Sequence, residues 1–196
     1  MAQPKVMIFD MDGTITRPFF DFDGIRAEIG ITSGTILESL ETLLPDQRRR
    51  AWTILEEHER VAARESELHE GVCDVLNYLK QRSISTAIAT RNSRQSVEVV
   101  LAKHAVSFDL LHTREDGPVK PSPEPVLAVC RHFGVAVHES WIVGDYLYDI
   151  QSGNSAGAVA ILKLNDDDPP EYAPQAAHVI RHMNELIGLL SNGRTL

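Results

Sequence analysis

The sequence predicts an α/β fold, a parallel sheet covered by helices on both faces, with a small all-helical segment inserted after the first strand. Three observations carry this. Apolar blocks of strand length recur along the chain, amphipathic stretches of helical length separate them, and one stretch, 15–70, breaks the alternation. Strands that alternate with helices need right-handed crossovers, and those crossovers build a parallel sheet. A strand buried on both faces reads as a continuous apolar run rather than an alternating one. With 196 residues the chain suits one domain carrying an insertion. The expected division is a doubly wound, Rossmann-like core of 1–14 and 71–196, with 15–70 as a helical insertion.

Val6–Phe9 is the first buried strand. In the insertion, Thr35 and Glu38 have capping-box spacing ahead of Leu40, Leu43 and Leu44. Further on, Ile54, Leu55, His58, Val61 and Ala62 share one helix face, while Arg48, Glu56, Glu57, Arg60 and Arg64 cover the rest. Arg48–Arg50 reads as a solvated helix start. Val72–Gln81 carries Val72, Val75, Leu76 and Leu79 at helical spacing, and Ile84–Ala89 is the second strand. Ser93 is placed to cap a helix over Gln95–Lys103. Leu110–Leu111 is a weak edge strand. Pro125–Phe133 opens with proline and ends at Gly134, as a helix should. Trp141–Val143 and Val159–Leu162 are buried strands, Asp166–Pro170 a loop, Val179–Ile180 a second edge strand and Asn192–Leu196 a fraying tail. No internal repeat is visible.

Charge and cysteine content narrow the function classes. A net charge of −9 disfavours nucleic acid and anionic membrane surfaces as partners. On the same ground an acidic protein should repel an acidic small molecule. Cys73 and Cys130 cannot make a multi-bridge secreted framework, and both read as reduced, buried helix-face thiols, although a single disulfide between them stays open. The run Val6–Phe9 is too short for a signal-peptide core, and no run approaches the ~18 apolar residues of a membrane span. The expectation is a cytoplasmic monomer or homodimer.

In open α/β sheets ligands bind beyond the carboxyl ends of the strands. Asp10-Met11-Asp12-Gly13-Thr14 stands after the first strand, Thr90-Arg91-Asn92-Ser93 after the second, and Gly144-Asp145-Tyr146-Leu147-Tyr148-Asp149 after Trp141–Val143. Lys120 precedes a Pro-Ser-Pro-Glu turn into a helix. Converging carboxylates repel unless they bind a hard cation or share protons. Oxygen donors without His or Cys select Mg²⁺ over Zn²⁺. A hydroxyl, a lysine and backbone N–H groups would complete a cradle for a phosphoryl group.

These four motifs, in this order and spacing from about Lys5 to Leu190, resemble the haloacid dehalogenase-like phosphohydrolase superfamily. Val143–Gly153 is similar to the branch holding phosphoglycolate phosphatase and β-phosphoglucomutase, in which a helical insertion after the first motif is a cap. The resemblance implies a Mg²⁺-dependent phosphatase acting on a small phosphorylated metabolite. By it Asp10 is the nucleophile that becomes an aspartyl-phosphate, and Asp12 the general acid and base. Thr90 and Lys120 bind the phosphoryl group, with Gly13, Arg91 and Asn92 assisting. Mg²⁺ sits on Asp10, the Asp12 carbonyl and Asp145, with Asp149 supporting through water or Lys120. Arg17, where the chain leaves the sheet, is a cap-side candidate for a second anionic group on the substrate.

Each residue also has an ordinary reading taken alone. Asp10-x-Asp12-Gly13 is a turn, Thr90 a strand end, Lys120 and Arg17 surface cations, and Asp149 an acid in a first helical turn. Their joint occurrence in order favours the functional reading. A second Asp-x-Asp-Gly, Asp21–Gly24, lacks a preceding β-run and serves as a helix cap or rim residue rather than a nucleophile. The eight histidines show no ligand spacing. Alternatives are a phosphosugar mutase using the same site, a dehalogenase, which would need neither Asp12 nor Asp145, and a catalytically silent binding protein.

Overall fold

A computed structural model describes residues 3–32 and 34–192. Six parallel strands form one sheet: β1 (Val6–Phe9), β2 (Ser85–Ala89), β3 (Leu110–His112), β4 (Ser140–Gly144), β5 (Val159–Lys163) and β6 (His178–Ile180), in the order β3-β2-β1-β4-β5-β6. The chain builds outward from β1 in one direction, then crosses to β4 and builds outward in the other. That reversal between β1 and β4 opens a crevice at their carboxyl ends. The two weak candidates are indeed the two edges.

β1 shows why its run is apolar throughout. Met7 and Phe9 face a layer containing α4 (Val72–Gln81) and α8 (Glu185–Asn192), where Val75, Leu79, Leu186 and Leu190 are buried. Val6 and Ile8 face the opposite layer with α6 (Glu124–Phe133) and α7 (Leu147–Ala156), among Val126, Val129 and Ile150. Each fully buried side chain of this size stabilises by about 1.5–3 kcal/mol. α5 (Arg94–His104) starts at Ser93, whose hydroxyl accepts from the Ser96 N–H at 3.3 Å.

Between β1 and α4 stand α1 (Phe22–Ile29), α2 (Ile36–Thr42) and α3 (Pro45–Glu65), with a small core of their own around Ile25, Ile36, Leu40, Ala51 and Leu55. Two linkers join them to the sheet and lie side by side, with Arg17 N–H donating to Glu67 C=O at 2.8 Å and His69 N–H to Ile15 C=O at 3.0 Å.

Three local expectations change. The buried face of α3 is Ala51, Leu55, Glu59, Ala62 and Ala63, whereas Val61 is exposed and His58 pairs with Glu28 at the surface. The helix docks on two sides, and small residues let it approach α5, with Ala63 packed among Val97 and Val100. Thr35 precedes α2 without capping its backbone; its hydroxyl instead bonds the Glu38 carboxylate. Cys130 is buried, but Cys73 is exposed, and both are free thiols. The expected tail begins at the last residue of α8, and its remainder lies outside the described residues. No helix among the described residues is long and apolar enough to cross a membrane.

Candidate active site at the strand ends

Asp10 leaves β1 with its N–H still bonded to Val143 C=O at 2.9 Å, so its carboxylate enters the crevice from a fixed backbone. The chain then turns tightly around the buried Met11, whose carbonyl accepts from the N–H groups of Thr14, Ile15 and Thr16. Gly13 makes that turn possible at φ +78°, and a Cβ there would stand 2.1 Å from Asp145 Oδ2. Gly144 is required for a parallel reason: a Cβ on it would overlap the Asp149 carboxyl at 2.1 Å.

Lys120 enters from the loop before α6 and is buried. Its ammonium donates to Asp10 Oδ1 and to Asp149 Oδ1, each at 2.5 Å. Asp149 in the first turn of α7 also accepts from Tyr146 N–H at 3.1 Å. Among the described residues, one carboxylate oxygen each from Asp10, Asp145 and Asp149 lies within 4.8 Å of the others. Beyond β2, Asn92 donates to Asp12 Oδ2 at 2.9 Å, and its own N–H bonds the Thr90 hydroxyl at 3.1 Å. Asp10, Asp12, Gly13, Thr90, Arg91, Asn92, Lys120, Asp145 and Asp149 therefore share one cavity of about 630 Å³. Arg17 does not join them. It is exposed, 3.8 Å from Glu67, and lies off the cavity wall.

The electrostatics reflect this crowding. Burial, reinforced by Asp10, pushes Asp12 up to about 7 against the pull of Asn92 and Lys120. Burial, then Asp10 and Asp149, raises Asp145 well above the usual carboxylate range. Burial also raises Asp149, while Lys120 opposes the rise. The same burial disfavours a charged Lys120, but the two carboxylates outweigh it and its ammonium is held more firmly than usual. The three carboxylates thus carry more negative charge than one lysine compensates. An all-oxygen set of this kind suits a hard divalent cation, which would return the acids to their charged forms.

Several contributors stand outside the sequence motifs. Asn165, just past β5, spends one amide on both Asp145 Oδ2 and Gly13 C=O, each at 2.9 Å. Behind it Lys163 bonds Asn165 Oδ1 and lies 2.9 Å from His69 Nε2. A polar residue directly past a buried strand is the signal that marks Asp10, Thr90 and Asp145; at β5 the signal is weaker, because the buried Leu164 stands between the strand and Asn165. Glu59 is different: it is an acid buried at 4% exposure, paired with Arg114 and lining the cavity beside Asp12. Nothing in a helical run of charges distinguishes it. Asp21 caps α1 by accepting from Gly24 N–H at 2.9 Å and stands at the cavity rim.

Comparison with known proteins agrees with this architecture. A family model described as haloacid dehalogenase-like hydrolase matches residues 20–163. An uncharacterised hydrolase of Saccharomyces cerevisiae is 31% identical over 199 residues, covering 96% of this chain and 91% of that protein. An N-acetylmuramic acid 6-phosphate phosphatase of Pseudomonas aeruginosa is 24% identical over 219 residues, covering 95% and 94%. Among solved structures, a hydrolase from Pseudomonas syringae superposes with a TM-score of 0.83 at 17% identity, covering 97% and 99% of the two chains, and so shares the fold. On the family model and the yeast relative together, the chain belongs to the haloacid dehalogenase-like hydrolases.

Proposed function

We propose that the chain is a Mg²⁺-dependent phosphatase that hydrolyses a small phosphorylated metabolite through an aspartyl-phosphate on Asp10. The observation that carries this reading is the meeting of Asp10, Asp145, Asp149 and Lys120 beside an Asp12 pushed up to about 7. Asp10, the Asp12 carbonyl and Asp145 would hold the ion, with Asp149 tied to Lys120 behind them. Bound there, the cation supplies positive charge against the phosphoryl oxygens.

The remaining work falls to the chain's own residues. An Asp10 carboxylate oxygen forms a bond to phosphorus as the bond to the leaving oxygen breaks. Asp12 gives its proton to that oxygen, which needs an acid still protonated near neutral pH. In the second half Asp12, now a carboxylate, takes a proton from water. The water oxygen bonds phosphorus, and the Asp10–phosphorus bond breaks to release inorganic phosphate. Lys120 offsets charge on Asp10, and Thr90 and the backbone beside it hold phosphoryl oxygens. The helices over 22–65 act as a cap that closes the cavity against bulk water. The expected opposition between a −9 protein and an anionic substrate would be relieved at this point, because a bound divalent cation and Lys120 together would balance the three carboxylates.

Phosphate release from p-nitrophenyl phosphate tests the reading. Turnover should require Mg²⁺ and be abolished in Asp10→Asn; turnover retained by that variant excludes the covalent route. Asp12→Asn should lose about 10²–10⁴-fold on alkyl phosphates and less on p-nitrophenyl phosphate, whose leaving group needs little protonation. Equal losses on both would remove Asp12 as the acid.

A further inference from the structure

The cavity extends beyond the carboxylates toward α1 and α2, and its outer wall has a chemistry of its own. Phe19, Phe20, Phe22 and Leu37 line it, together with Tyr146 and Tyr148 at the start of α7. Phe19, Phe22 and Tyr146 are among the few large apolar side chains left exposed, at 49%, 53% and 53%, and all three stand around this one opening. Exposed aromatic surface gathered at one mouth marks a surface meant to be covered.

The charges around the same opening are already matched. Arg91 donates to Glu38 Oε2 at 2.7 Å and to the Lys120 carbonyl, and its guanidinium lies 5.1 Å from the Tyr148 ring centre. Glu38 is fixed in turn by the Thr35 hydroxyl. Arg26 pairs with Asp23 at 2.5 Å, and Lys120 is committed to Asp10 and Asp149. Among the described residues, every cation lining the cavity has an acidic partner. Glu59 adds a buried acid on the wall next to Asp12, and its Oε2 makes no hydrogen bond. Nothing in this wall offers a second anion on the substrate a cation of its own.

We infer that Glu38 is a specificity residue: by neutralising Arg91 it restricts the substrate to phosphomonoesters whose leaving alcohol is apolar or aromatic and carries no second anionic group. This rests on the phosphatase reading of the site. A guanidinium within the cavity is the natural partner for a carboxylate or second phosphate, and it binds such groups bidentately when it is free to do so. Here the protein supplies the carboxylate itself, from α2. Closing the insertion over the sheet and excluding a second anion are then the same contact, since the Glu38–Arg91 pair joins the two.

Three aryl phosphates with leaving groups of similar acidity test this: phenyl phosphate, 4-(carboxymethyl)phenyl phosphate and 4-(aminomethyl)phenyl phosphate. In the wild type, kcat/KM for the carboxymethyl compound should fall roughly tenfold or more below that for phenyl phosphate, while the aminomethyl compound does not fall. In Glu38→Gln the ratio of carboxymethyl to phenyl should rise about fivefold or more, since Arg91 is released, and the aminomethyl ratio should not rise. Wild-type turnover that ignores the added carboxylate overturns the proposal, as does an unchanged ratio in a folded Glu38→Gln protein. If that variant does not fold, the wild-type ratios decide alone. Absence of turnover on all three compounds overturns the phosphatase reading and this proposal with it, whereas turnover without charge discrimination overturns this proposal only.

Discussion

Replacing Lys120 with Met removes one charge while keeping most of the volume, which isolates the electrostatic part of the site. Lys120 is 3% exposed and joins two carboxylates, Asp10 and Asp149, whose side chains are 13% and 3% exposed. Removing one partner of a buried ion pair leaves the other charge uncompensated and costs about 3–5 kcal/mol. For a domain of this size each kcal/mol lowers Tm by about 2–4 °C, so the metal-free variant should melt about 6–20 °C below the wild type. Thermal denaturation in chelator, monitored by circular dichroism, measures this. Added Mg²⁺ should then raise Tm more in Lys120→Met than in the wild type, because the ion compensates the same carboxylates. A Tm within about 2 °C of wild type in chelator would refute the argument, since the carboxylates would then be stabilised by solvent rather than by the ammonium.

Three further outcomes rest on particular contacts. Gly13→Ala should cost about 1–2 kcal/mol for a left-handed alanine. It should also weaken Mg²⁺ binding, read by calorimetry, because its Cβ would strike Asp145 Oδ2; unchanged affinity would count against Asp145 as a ligand. Asp21→Ala should lower stability by about 1 kcal/mol through loss of the α1 cap, and Asp21→Ser should restore most of it; no change in either would remove the capping role. His69 is held down to about 4 by burial and then by Lys163, whereas an unfolded histidine titrates near 6.5. Its contribution to stability is complete above 6.5 and is lost as the pH falls toward 4, because the unfolded chain takes up the proton first. His69→Gln keeps an acceptor for Lys163, so its Tm should fall less than that of the wild type between pH 7 and pH 5, by about 2 °C; equal falls would refute the assignment.

The sheet was readable because its physical signal is local. A strand buried on both faces needs an apolar run, and Val6–Phe9 and Val159–Leu162 supply one at strand length between turn or charged residues. The candidate site was readable for a similar reason. Polar residues directly after such runs, as at Asp10 and Asp145, sit where a core has no use for them. The helices of the insertion were readable only as helices. Their orientation depends on two docking surfaces at once, and this moved the buried face of α3 away from Val61 and brought Glu59 inside. Arg17 stayed outside because its linker runs beside Glu67, along the edge of the connection rather than over the crevice.

Sequence alone therefore determined the α/β class, the succession of the strands along the chain and the carboxylates and lysine that gather at the sheet, since each is written in a short stretch of chain. Tertiary structure alone decided which distant charges are matched. Glu38 meets Arg91 across 53 residues, Glu59 meets Arg114 across 55, and Asn165 reaches back 152 residues to Gly13. Such pairs have no periodicity to betray them, because an ion pair depends on distance in space and on burial, neither of which is a property of neighbours in the chain.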